Sequence, residues 1–182
     1  GWRAIYSEAK VCSTTSASRQ WFTSGGSRRF ELGLAVWASP AVVEIAGRPT
    51  AFVGGYDQKL HALDLLTRQE RWSKLTNAPI AAAPAVASVA GRPTVIFTSS
   101  DRTVYACDAE TGRQLWTKEL ITPTTTLDRA SLSAPFIHNG TAYVTCFAFD
   151  RAVSRNEQTG ELVALDLRTG AIRFRQDVWP GF

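Results

Sequence analysis

Hydrophobic residues fall in short runs along this chain, each closed by a turn signal, and not at the three-to-four spacing of a helix face. "TVIFTSS" (Thr94–Ser100) and "RTVYACD" (Arg102–Asp108) show the type. Both are rich in β-branched and aromatic residues, which suit a pleated surface, and a turn centred on Asp101 divides them. Ala-Gly-Arg-Pro at Ala46 and again at Ala90, and His-Asn-Gly at His138, mark turns ahead of such runs. Glycine supplies the positive φ there, and proline presets the exit. "DAETG" (Asp108–Gly112) and "DLRTG" (Asp166–Gly170) mark the turn into a last strand. The reading is strand, turn, strand, turn throughout, and no window of 12 residues offers a helical period.

The runs repeat. Ser39–Trp72 and Ala83–Trp116 align without gaps at 13 identities in 34 positions, so they are copies of one unit. A third copy runs from Ala134 to Phe174 and is longer because "DRAVSRNEQTG" (Asp150–Gly160) fills its middle turn. A trace of an earlier copy, "GGSRRF", ends at Phe30. The aromatics closing the units are therefore Phe30, Trp72, Trp116 and Phe174. Four short strands per unit of about 44 residues predict an all-β fold of β-propeller blades, each a four-stranded antiparallel sheet, in an incomplete ring. The expected division is 1–30, end of a preceding blade or linker; 31–72 and 73–116, two blades; 117–174, a blade with long loops; and 175–182, the start of a following blade. A large flat ring at the end of each unit can fill the wedge between neighbouring blades.

The motif Ala-x-Asp-x-x-Thr-Gly-x-x-x-Trp, complete at Ala106, Asp108, Thr111, Gly112 and Trp116, resembles the tryptophan-docking repeat of the PQQ-like β-propellers. Asp64, Thr67 and Trp72 match it with Arg68 in place of glycine, and Asp166, Thr169 and Gly170 match it with Phe174 in place of tryptophan. The resemblance covers about residues 26–182 and implies the fold more strongly than an activity, since such repeats serve enzymes and scaffolds alike. It implies a periplasmic or extracellular setting. In a quinoprotein dehydrogenase of this family an Asp base, a calcium held by Glu and Asn, an Arg or Lys and a stacking Trp surround the quinone, often with a Cys-Cys pair. This chain has no Cys-Cys pair, and its repeated aspartates belong to turns. PQQ and calcium are therefore expected only under an alternative reading, and no catalytic, cofactor or metal residue is assigned. Trp37 and Trp179 either face the axis, where a quinone would stack, or pack between blades, which is the expectation.

Composition adds limits. The net charge is +4, but the basic residues are scattered and Arg28-Arg29 is the one basic doublet, so no nucleic-acid surface is expected. No apolar stretch reaches the length of a membrane span. The chain has no methionine, and its first residues lack the parts of a signal peptide, as expected of a processed chain or an excised piece. Cys107 aligns with Leu63 and Leu165 and is expected to be buried, whereas Cys12 and Cys146 leave a disulfide open. His61 aligns with Tyr105 and is expected to pack on a strand face.

The departures of the third unit point to a working surface. "TKELITPTTTLDRASLS" (Thr117–Ser133) swells the approach to its first strand, and Asp150–Gly160 swells its middle turn. Both connections rise on one face of a four-stranded blade, and repeat proteins place insertions on their binding face. They bring Thr124, Thr125, Asp128 and Arg129 towards Phe149, Asp150, Arg151, Arg155 and Asn156, a mixture that suits a protein–protein contact. The expected function is a non-catalytic binding or scaffolding module whose protein partners complete or dock on the propeller. The alternatives are part of a PQQ-dependent quinoprotein dehydrogenase, or the sensor domain of a larger receptor or kinase.

Overall fold

The computed structural model describes residues 35–121, 127–150 and 159–178, and among these there is no helix. Three antiparallel sheets follow one another along the chain. The first blade is β1 (Ala41–Ile45), β2 (Arg48–Gly54), β3 (Lys59–Asp64) and β4 (Gln69–Leu75), in that spatial order. The second repeats it with β5 (Ala85–Val89), β6 (Arg92–Thr98), β7 (Thr103–Asp108) and β8 (Gln114–Glu119). The third is β10 (Phe136–His138), β11 (Thr141–Asp150), β12 (Thr159–Asp166) and β13 (Ile172–Asp177), with β9 (Leu127–Leu132) also paired to β11. The first strands β1, β5 and β10 touch in turn, which arranges the blades around a common side. These are incomplete propeller blades, as the repeat implied.

Local chemistry explains each turn. The first hairpin of every blade closes on two residues with positive φ, Ala46-Gly47, Ala90-Gly91 and Asn139-Gly140, the requirement of a type I′ turn. The last turn is tied by its aspartate: Asp108 Oδ1 accepts the backbone N–H groups of Glu110 and Thr111 at 3.0 and 2.9 Å, and the Thr111 hydroxyl at 3.0 Å. Asp64 and Asp166 repeat the arrangement. A bulge after Ala62, Ala106 and Ala164 then turns the next aromatic to lie directly across from that alanine.

Packing joins the blades through their faces. One cluster holds Phe52, Leu60 and Ile80 against Val95, Phe97, Tyr105 and Cys107, sealing the first blade to the second. A second holds Ile96, Val104 and Trp116 against Val144, Val163 and Leu165, sealing the second to the third. In each seam the closing tryptophan lies flat on the glycine of the next blade's last turn. A Cβ on Gly112 would stand 2.7 Å from the Trp72 ring, and one on Gly170 would stand 2.6 Å from the Trp116 ring. The indole N–H groups donate to Ala109 O at 3.2 Å and Leu167 O at 3.0 Å. Phe174 stands at the same register on β13 but is 46% exposed and touches Tyr143. The corresponding turn of the first blade carries Arg68 at φ 59° in glycine's place.

Three details depart from the expected boundaries. Residues Leu127–Leu132, read as loop, form β9, and Thr159 and Gly160 belong to β12. The outer strands run past the closing aromatic, so Arg175–Asp177 complete β13 and do not begin another blade. Phe30 and the Gly1–Phe30 segment lie outside the described residues.

Candidate functional site

The third blade differs from the other two above its core. β11 runs for 10 residues where β2 and β6 run for 7, because "TAYVTCFAFD" keeps alternating β-branched and aromatic residues beyond the level at which the other blades turn. The extra length is paired on both sides, to β12 through Ala148↔Thr159 and to β9 through Cys146↔Leu132 and Phe149↔Arg129. β9 and β10 form one interrupted strand. At the interruption the Ser133 N–H donates to Thr145 O, and the Ser133 hydroxyl accepts the Thr145 N–H, both at 3.0 Å, so a side chain completes the ladder. The result is a three-stranded arm, β9-β11-β12, standing above the blade.

Of the nine residues assigned to partner binding, the arm places four by register. Arg129 lies opposite Phe149, and Asp150 opposite Leu127, with Asp128 at the irregularity between. Thr124, Thr125, Arg151, Arg155 and Asn156 lie outside the described residues. A cleft of about 510 Å³ opens beside the arm, lined by Ser133, Thr145, Cys146, Phe147, Gly160 and Val178 among others. Cys146 is a free, buried thiol, and burial pushes it up to about 11, so it is uncharged at neutral pH. The sequence reading missed the cleft and β9. The strict alternation Tyr143, Thr145, Phe147, Phe149 was the available signal for the arm.

The remaining candidates have structural surroundings. His61 is 4% exposed on β3, with Nδ1 2.6 Å from Glu70 Oε2 and Nε2 3.0 Å from Asp57 Oδ2. Burial pushes the Glu70 carboxyl up, but hydrogen bonds from His61 and Ser73 outweigh it and leave the group below its usual range. In the second blade Tyr105 occupies the position of His61 and donates to Asp101 Oδ2 at 2.6 Å. Hydrogen bonds from Arg173 and Thr169 hold Asp166 well below the carboxylate range. Trp37 is 68% exposed and tilts against Tyr56, with ring centroids 4.8 Å apart. Trp179 lies outside the described residues. Among the described residues no group of three or more His, Cys, Asp or Glu side chains is placed to hold a metal ion.

Known folds share this architecture. A quinohemoprotein alcohol dehydrogenase from Comamonas testosteroni is 22% identical over 82% of this chain and 22% of its own, with a TM-score of 0.58. A quinohemoprotein alcohol dehydrogenase from Pseudomonas putida is 22% identical over 84% of this chain and 22% of its own, with a TM-score of 0.60. The WD40 domain of Toxoplasma gondii coronin is 10% identical over 78% of this chain and 34% of its own, with a TM-score of 0.52. These likenesses are of fold, and the chain spans about a fifth of the length of either dehydrogenase. No curated protein sequence matches it. Residues 32–181 match the model of the PQQ-like repeat family described as outer membrane protein assembly factor BamB, and the chain belongs to that family of β-propellers.

Proposed function

We propose that this chain is a non-catalytic propeller module that binds a protein partner over the β9-β11-β12 arm, within a larger extracytoplasmic assembly. The observation that carries the reading is the arm itself. Two edges of one long strand are paired beyond the blade, which sets Asp128 and Arg129 beside Phe149 and Asp150 in fixed register. Aromatic and charged residues at neighbouring register positions suit an interface, where such anchors dominate binding energy. The family described as an assembly factor supports a partner of protein character. In the test, Phe149 and Arg151 are both replaced by Ala and partner capture from a cell-envelope extract is compared with the parent. Capture is expected to fall while stability stays within about 1 kcal/mol, as for surface changes. Retention of every partner would overturn the reading.

A second reading, a segment of a quinoprotein dehydrogenase, is favoured by the fold of the two dehydrogenases above. Calorimetric titration with PQQ and calcium separates the two. No binding is expected of this chain, and micromolar binding would reverse the ranking.

A further inference from the structure

All three blades carry one cross-strand row at the same register, and residues paired directly across strands share a face. In the first blade it reads Ala41, Phe52, Ala62, Trp72, and in the second Ala85, Ile96, Ala106, Trp116. Both rows alternate small and large, and each helps to close a seam, through Phe52 and Trp72 or through Ile96 and Trp116. The third row breaks the pattern. It reads Phe136, Tyr143, Ala164, Phe174, with a ring in place of the innermost alanine and phenylalanine in place of the closing tryptophan. Phe136 is 67% exposed and Phe174 46%. Phe174 also lacks the indole N–H, so this face asks its occupant for no carbonyl. The next two rows along the strands, Thr145-Leu162-Gln176 and Phe147-Gly160-Val178, are uncharged. Gln176 stands where the first two blades have Lys74 and Lys118.

We propose that this face pairs with the same face of a second copy of the chain, about a twofold axis parallel to the strands. Such an axis lays the row on itself reversed. Phe136 then meets the partner subunit's Phe174 at both ends, and Tyr143 meets the partner subunit's Ala164 between them. Ring lies over ring at the ends and large over small in the middle, so the row complements itself. No charge in these rows is brought against its like, in a chain whose net charge is +4. Four strands at a spacing of about 4.8 Å, over the 8 residues of β12, make a face of about 500 Å² per copy. The pair therefore covers about 1,000 Å², the size at which a specific interface begins. A head-to-tail array lacks the same opening, since Ala51, Val53 and Leu63 on the first blade's other face are already buried. The inference does not rest on the arm's role in partner binding.

Sedimentation velocity on the unaltered chain reads the assembly directly, and a dimer is expected at micromolar concentration. Phe136→Ser and Phe174→Ser, both at exposed positions, are each expected to raise the dissociation constant about tenfold. A chain that stays monomeric overturns the proposal and assigns the face to a different polypeptide. A dimer that neither substitution weakens overturns it too, as does growth into open-ended oligomers. The twofold arrangement is read by mixing Phe136→Cys and Phe174→Cys chains and joining them with a short bismaleimide. Peptide mass spectra are expected to show the two introduced cysteines linked between chains, and a dominant link between two copies of one variant overturns the axis. Should one variant fail to fold, the unaltered chain and the other variant decide.

Discussion

At Trp116 two demands meet in one side chain. Its ring must fill the wedge between blades, and its N–H must find a partner, which Leu167 O supplies at 3.0 Å. Trp116→Ala empties the wedge and is expected to cost about 3–5 kcal/mol, read from urea unfolding. Trp116→Phe keeps most of the fill and orphans only a carbonyl, so it is expected to cost less. Asp166 tests the turn by acid. Arg173 and Thr169 hold its folded pKa below the ordinary 3.8, so the unfolded chain binds the proton first. The stabilisation is complete above that value and is lost as the pH falls through it towards the folded value. Asp166→Asn is expected to flatten the fall in stability below about pH 4, and an unchanged acid slope would assign the slope to other carboxylates. Both residues were legible because the motif repeats; His61 was legible only as a packing residue, since Glu70 and Asp57 meet it through pairing that spacing alone does not reveal.

Among the elements, β9 shows where reading from sequence stops. "LDRASL" carries two charges that break its alternation, and prolines at 123 and 135 flank it, so its local signals favour loop. It is a strand because β11 is long and offers an unpaired edge, a tertiary cause that overrides propensity. The blades themselves were legible because every hairpin brings its own turn chemistry: positive φ at Ala46-Gly47, the aspartate bonds at Asp64, the bulge after Ala62. The junction of β9 with β10 depends on one hydroxyl. Ser133→Ala removes the acceptor of the exposed Thr145 N–H and is expected to cost about 0.5–1 kcal/mol, since water can take its place. Faster hydrogen exchange at the Thr145 amide, with the β6 amides unchanged, is the measurement that checks it.

Across the described blades, two seams join nearest neighbours, as in other repeat arrays. A lesion in one seam should therefore free one blade and spare the rest. Gly112→Ala sets a Cβ against the Trp72 ring at a backbone conformation that disfavours it, and is expected to cost about 2–4 kcal/mol. Hydrogen exchange should quicken in β1–β4 and hold in β11–β12, whereas uniform quickening would show one cooperative unit. The closing tryptophan itself asks little of the neighbouring blade: a bare backbone under the ring and one carbonyl at its rim. Plug and socket thus travel together, the socket in a unit's last turn and the plug just after it. A duplication or loss of one such stretch, in frame, removes or supplies both at once. Blade number is in this way open to change by a single genetic event wherever the apolar faces of the new neighbours also match.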